Sequence, residues 1–241
     1  MTKHMITIVG CYIALTGAVL GGKLTIYSQD FNVANSALND SAVTYAAAGY
    51  DTTWSADSTF GTDGSFTNSG TQGAAVLDFA PVLDETYRLD VSFREMNSGY
   101  DFYVAGFACS GLSEGAAPFK GNPNGLGYMD VVRNGNVTGW GYKNISQERI
   151  GSKDIGTGID VDLRIELTKV GANNYDYTFY AKMASDPDYT EIASTNTYSY
   201  GSRTINRVGF GVDDSPITTS GRITAFHLYQ PVTFGTVVSV K

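Results

Sequence analysis

Charge, proline, cysteine and histidine are all scarce in this 241-residue chain, and each shortage removes a class of answer. Charged residues make up 17%, with a net charge of −8. An acidic surface repels phosphate backbones, so nucleic acid is a poor partner. Six prolines stand against 28 glycines. No amphipathic pattern of three helical turns and no internal repeat is found, which leaves helical bundles and solenoids without support. Of the two histidines, His4 sits in the apolar N-terminal segment, so His227 alone remains for acid–base work. The hydrophobic fraction of 42% is enough for a real core and excludes global disorder. Sixteen tyrosines and twelve phenylalanines, set among many glycines, suit short strands joined by tight turns.

The N-terminus reads as a leader over residues 1–22. Lys3 and His4 precede an apolar stretch from Met5 to Leu20, Gly21 and Gly22 follow, and no acid occurs before Asp30. That order fits a secretory signal peptide and an exported or cell-surface protein. Thr7, Cys11, Tyr12 and Thr16 dilute it as a membrane span. Two alternatives remain: a lipoprotein box at Ile8-Val9-Gly10-Cys11, and retention of the segment as a strand. With the leader removed Cys109 stands alone, as a buried small hydrophobe; with it kept, a Cys11–Cys109 bridge is conceivable.

Residues 23–230 read as one all-β domain, followed by a β-rich tail over 231–241. Leu24 to Phe31 alternates as a first strand. Residues 32–73 are rich in Asn, Ser, Ala, Thr and Gly, with short strands expected around Thr52-Thr53-Trp54 and Ser65-Phe66-Thr67. Tyr87, Leu89, Val91 and Phe93 share a face, as do Ile159, Val161, Leu163, Ile165 and Leu167, whose opposite face carries Asp160, Asp162, Arg164 and Glu166. Asn134-Gly135 between Tyr128–Val132 and Val137–Trp140 predicts a type I′ hairpin. At least ten segments of this kind predict a two-sheet antiparallel sandwich.

Three stretches resemble the concanavalin A-like (laminin-G-like) jelly roll of exported bacterial proteins. They are Ile26-Tyr27-Ser28-Gln29-Asp30-Phe31, the pair Asp162–Leu167 and Tyr175–Tyr180, and the ending Val208-Gly209-Phe210-Gly211 with Gly221–Tyr229. The resemblance implies a curved sandwich whose first and last strands pair and whose concave face or edge loops bind carbohydrate. Glycosidases of this fold share a Glu-x-Asp-x-x-Glu strand with carboxylates about 5–5.5 Å apart. The acids of Asp160–Glu166 have a different spacing, interrupted by Arg164, and read as a solvated face with a cross-strand ion pair. The Gln-x-His strand of the lyases is missing, and His227 lies opposite in parity to Phe226 and Leu228. A catalyst is therefore the lesser reading.

Candidate sites follow from residue chemistry. Trp140 and Tyr142 alternate between glycines and so offer an open aromatic face for a sugar ring, beside Asn144; Tyr128 and Trp54 are secondary candidates, as is Tyr100. Asn136-Val137-Thr138 and Asn144-Ile145-Ser146 are N-glycosylation acceptors. No cofactor is required. A structural Ca²⁺ could use the acidic turn at Asp213 and Asp214, with Asp30 on a neighbouring strand. Three functions compete. The first is a secreted, non-catalytic carbohydrate-binding or adhesion module with a glycan partner. The second is a self-assembling extracellular filament or surface-layer subunit that adds strands through its apolar start or the tail Val232–Val240. The third is a glycan-cleaving enzyme.

Overall fold

A computed structural model describes residues 22–65, 73–96, 102–110, 119, 122, 124–132, 135–143, 146–156, 160–213 and 221–231. Among them are fourteen strands and no helix, arranged as two seven-stranded antiparallel sheets. The first sheet runs, edge to edge, β12 (Thr190–Ser199), β11 (Asn174–Met183), β10 (Val161–Lys169), β5 (Thr86–Arg94), β14 (Arg222–Pro231), β1 (Lys23–Gln29) and β2 (Tyr45–Ala46). The second runs β3 (Ser55–Ala56), β4 (Gly73–Asp78), β13 (Arg207–Asp213), β6 (Phe102–Ala108), β7 (Gly125–Val131), β8 (Asn136–Lys143) and β9 (Ser146–Asp154). This is the all-β, two-sheet sandwich expected from the alternation, with the jelly-roll form that the resemblance implied. Its first and last long strands pair, Tyr27 opposite Leu228 and Gln29 opposite Phe226.

Alternation dictates the first sheet. Tyr87, Leu89, Val91 and Phe93 of β5 point inward with Val161, Leu163, Ile165 and Leu167 of β10, all buried. The register sets Leu163 beside Val91 and Ile165 between Leu89 and Phe179, so each inward residue meets inward neighbours. Outward, the same register puts Arg164 opposite Asp90 and Glu166 opposite Arg88, and both pairs close as ion pairs. The Asp160–Glu166 run thus carries the cross-strand ion pairs the sequence suggested, but it is only partly exposed, with Asp162 buried.

The second sheet is covered on both faces. Its inner face gives Leu77, Phe107, Met129, Val131 and Phe210 to the main core, while Val76, Val104, Tyr128 and Phe119 form a second buried cluster on the outer face. A hairpin does join β7 to β8 antiparallel, but not through the type I′ turn expected at Asn134-Gly135. Val132 pairs with Asn136 across three residues, its amide donating to the Asn136 carbonyl, while Gly135, at φ 87°, donates its amide to the Val132 carbonyl. A Cβ on Gly135 would lie 2.1 Å from the Gly156 carbonyl oxygen, so both conformation and space require glycine. Asn134 lies outside the described residues.

The 32–65 stretch departs from expectation. Thr53 makes only an isolated bridge to Ala42, the short strand falls one step later at β3, and Ser65 bridges to Arg222. What orders the stretch is burial: Trp54 packs edge-on to Phe226 at 5.1 Å and beside Phe210 at 5.2 Å. Phe66, the N-terminal segment to residue 21 and the tail from residue 232 lie outside the described residues.

Candidate functional site

The hairpin face proposed for sugar stacking is differently built. Gly139 and Gly141 do not open the face that carries Trp140. A Cβ on Gly139 would lie 2.8 Å from the Phe179 ring, and one on Gly141 2.7 Å from the Tyr198 ring. These glycines admit aromatic rings of the opposite sheet into the sandwich, as Gly127 admits Tyr177. Tyr142 is buried as part of the main core cluster, with the Arg203 guanidinium 4.4 Å from its ring centre. Tyr128 is fully buried and stacks on Trp140 at 6.3 Å. Trp140 keeps partial exposure, and its indole N–H donates to the buried Asp130 carboxylate at 2.8 Å. A ring that stacks on a sugar must offer a face to solvent; in this group only Trp140 does.

The remaining candidates are dispersed. Trp54 is a core residue at 1% exposure. Asn136 is exposed at the start of β8, while Asn144, Tyr100 and Asp214 lie outside the described residues. Asn39-Asp40-Ser41 is a further acceptor triplet that the sequence reading passed over, with Asn39 exposed. Asp30 follows β1 directly, with its carboxylate 3.8 Å from His227 Nε2, whose Nδ1 lies 2.9 Å from Ser28 Oγ. Asp213 ends β13 in the other sheet. Among the described residues no cluster of three or more His, Cys, Asp or Glu side chains could hold a metal. Among the described residues Cys109 is an unpaired, buried thiol that points at Asn124 Oδ1, and burial pushes its pKa up, which keeps a thiol protonated; Cys11 lies outside the described residues. Gly111-Leu112-Ser113-Glu114-Gly115 has the Gly-x-Ser-x-Gly spacing of a nucleophile elbow. It lies outside the described residues.

Polar chemistry converges elsewhere, at a rim of the second sheet. A cleft of about 610 Å³ is walled by Tyr50 and Asp51, by Asp78, Phe79 and Ala80 beyond β4, and by Asn206 and Arg207 at the start of β13. The antiparallel register sets Arg207 directly opposite Asp78, and Arg207 Nη1 bonds Asp78 Oδ1 at 2.8 Å. Tyr27 fixes the two other walls: its hydroxyl donates to the Asp78 carbonyl at 2.6 Å and accepts from the Asp51 amide at 3.1 Å. The Tyr50 ring stands edge-on to Tyr27 at 5.6 Å, partly exposed. Phe79 floors the cleft from the core, its ring against Tyr87 and Phe107.

The electrostatics follow from this crowding. Desolvation pushes the Asp78 pKa up, Arg207 opposes the shift, and the neighbouring Asp51 carboxylate adds to it. Burial likewise raises the Tyr27 and Tyr50 phenols, which stay neutral donors. Asp51 Oδ2 accepts the Asp78 amide at 3.3 Å. A carboxylate has about four acceptor sites, and these contacts use only some of them. The cleft therefore presents an aromatic ring, two carboxylates, an amide and a guanidinium at one opening. None of these residues stood out in the sequence. Asp78 reads as a strand end and Asp51 as a loop acid; only the β4–β13 register and the Tyr27 clamp bring them together.

Fold and site define a β-sandwich with a polar cleft at one rim. No protein-family model matches the chain, and no curated protein is similar to it in sequence. Among solved structures it is similar to the Emp47p carbohydrate recognition domain, at 12% identity and TM-score 0.48 over 86% of this chain and 96% of that one. It is similar also to the VIP36 exoplasmic/lumenal domain in its Ca²⁺/Man3GlcNAc-bound form, at 11% identity and TM-score 0.48 over 78% and 86%. An engineered GH43 glycoside hydrolase is matched at 16% identity and TM-score 0.42 over 73% of this chain but 38% of the enzyme. All three scores lie below 0.5, and the architecture described above rests on the chain's own strand pairing.

Proposed function

We propose that this chain is an exported, non-catalytic carbohydrate-binding module that holds glycan hydroxyls in the Tyr50–Arg207 cleft. The observation that carries the reading is the composition of that cleft. It is a large cavity of the chain, and polar groups of different kinds converge there around one partly exposed ring. Sugar hydroxyls both donate and accept, so a mixed wall of carboxylate, amide and guanidinium suits them, and the Tyr50 ring can lie against the apolar face of a pyranose. Export rests on the leader-like composition of residues 1–22.

Catalysis is disfavoured by the way the acids are engaged. A retaining pair needs two carboxyls about 5–5.5 Å apart, one on each side of the scissile bond. Here Asp51 accepts the amide of Asp78, and Asp78 is bonded to Arg207 on the same strand pair. Both carboxylates are thus already engaged by partners within the chain. The test is a glycan array probed with the intact protein, Tyr50→Ala and Trp140→Ala. Loss of signal with Tyr50→Ala alone supports the cleft; loss with Trp140→Ala alone moves the site to the outer face of β8. No signal from the intact protein on any glycan overturns the proposal.

A further inference from the structure

The rim cleft does not end at Asn206. This residue also lines a second cavity of about 310 Å³, walled by Cys109, Ser110, Asn124, Ser202, Arg203 and Thr204. Strand order explains why the two adjoin. β4, β13, β6 and β7 are consecutive neighbours. Asp78 ends β4, Arg207 begins β13, Cys109 follows β6 and Asn124 precedes β7. At about 4.8 Å per strand, three steps carry this row about 14 Å along a single rim. The Asn206 backbone ties it together, its amide donating to the Ala108 carbonyl and its own carbonyl accepting from the Phe79 amide, both at 3.0 Å.

The Asn206 side chain is unusual in one respect. Its Oδ1 is buried and, among the described residues, has no hydrogen-bond partner. Buried carbonyl oxygens are ordinarily partnered. The amide turns about a broad sp³–sp² torsion, so it can bring its oxygen or its NH₂ group to a ligand in either cavity. Charge settles the class of ligand. Asp51 and Asp78 on the rim are balanced by Arg203 and Arg207, and the other polar groups are hydroxyls and amides. A neutral rim on a chain of net charge −8 gives a polyanion nothing to gain.

We infer that the two cavities are consecutive subsites for one unbranched, neutral oligosaccharide of at least two sugar units, joined at Asn206. This rests on the glycan-binding reading above and adds length and charge class to it. The test is calorimetric titration of the full chain with neutral malto-, cello-, manno- and chito-oligosaccharides of increasing length, and with oligogalacturonates. Affinity for one neutral series is expected to rise about tenfold or more from monosaccharide to trisaccharide and then flatten. Ser202→Ala on the exposed far wall, which lines only the second cavity, should remove most of that gain while leaving monosaccharide affinity within about twofold. Asn206→Ala, at a residue that lines both cavities, should instead weaken monosaccharide and longer ligands alike. Thermal melts confirm that each variant stays folded. Length-independent binding by the intact protein overturns the two-subsite inference and leaves the glycan reading standing. Tighter binding of oligogalacturonates overturns the neutral assignment. No binding by any neutral series removes the glycan reading itself.

Discussion

The two sheets treat their outward faces in opposite ways. On the first sheet the outward side chains form a ladder of paired charges. Arg164 grips Asp90 through two nitrogens at 2.7 and 3.0 Å, Arg88 grips Glu166, and Arg94 meets Asp162 at 2.7 Å. Tyrosine rings lie among them, Tyr189 beneath Arg164 at 3.9 Å and Tyr229 beneath Lys23 at 4.1 Å. On the second sheet the outward face is apolar and buried, built on Val76, Val104, Tyr128 and Phe119. Gln147 holds the cover in place by donating to the Phe119 and Asn122 carbonyls at 2.7 and 2.9 Å. A strand buried on both faces loses the alternation that identifies it as half-exposed, which is why β6, Phe102–Ala108, reads as a near-continuous apolar run. The difference teaches that an outward position means solvent on one sheet and a second core on the other.

The largest effect expected compares one residue type at two outward positions. Tyr128→Ala should destabilise the protein by about 3–5 kcal/mol, as for a core aromatic. Tyr180→Ala, outward and half-buried on β11 beside Glu166, should cost about 1 kcal/mol. Urea denaturation of both variants checks this. Equal losses would mean that the cover over Tyr128 contributes nothing.

A smaller effect probes the ladder. The Arg88 and Glu166 side chains are 25% and 26% exposed, so Glu166→Ala should cost about 1 kcal/mol or less, and less still in molar salt. A double-mutant cycle with Arg88→Ala isolates the pair. A coupling well above that, unchanged by salt, would show that the face is shielded from solvent and would erase its contrast with the second sheet.

Legibility in the sequence follows the same division. The first sheet was readable because Leu163, Ile165 and Leu167 alternate with Arg164 and Glu166, and because period two has one physical meaning when one face is wet. The pairing of the chain's two ends also came out as the resemblance implied. Trp140 and Tyr142 misled because glycines beside an aromatic look like open space from the sequence, whereas Phe179 and Tyr198 fill that space from the other sheet. The rim cleft could not be read at all. Its residues come from three separated segments, and what unites them is a register and a tyrosine hydroxyl. The sheet edges bear on assembly as well. β2 and β3 have two residues each, β12 is bulged against β11, and β9 carries Glu148, Arg149, Lys153 and Asp154. Short, bulged and charged edges resist strand addition.

The smallest effect belongs to the cleft, and it turns on a sign. Asp78 has its pKa raised in the folded protein, by desolvation first and Asp51 second, against Arg207. Its unfolded pKa is about 3.9. Between that value and the raised one the native state holds more protons than the unfolded chain, so stability falls as pH rises through this window. The contribution is fully present below the unfolded pKa and lost above the folded one. Asp78→Asn cannot titrate, so it should show no such loss. The melting temperature of the intact protein minus that of Asp78→Asn should therefore be greatest at the acid end and decline as pH rises. A difference that grows with pH would mean that Arg207 outweighs burial, making the Asp78 carboxylate a fixed half of an ion pair with little acceptor capacity left for a sugar hydroxyl.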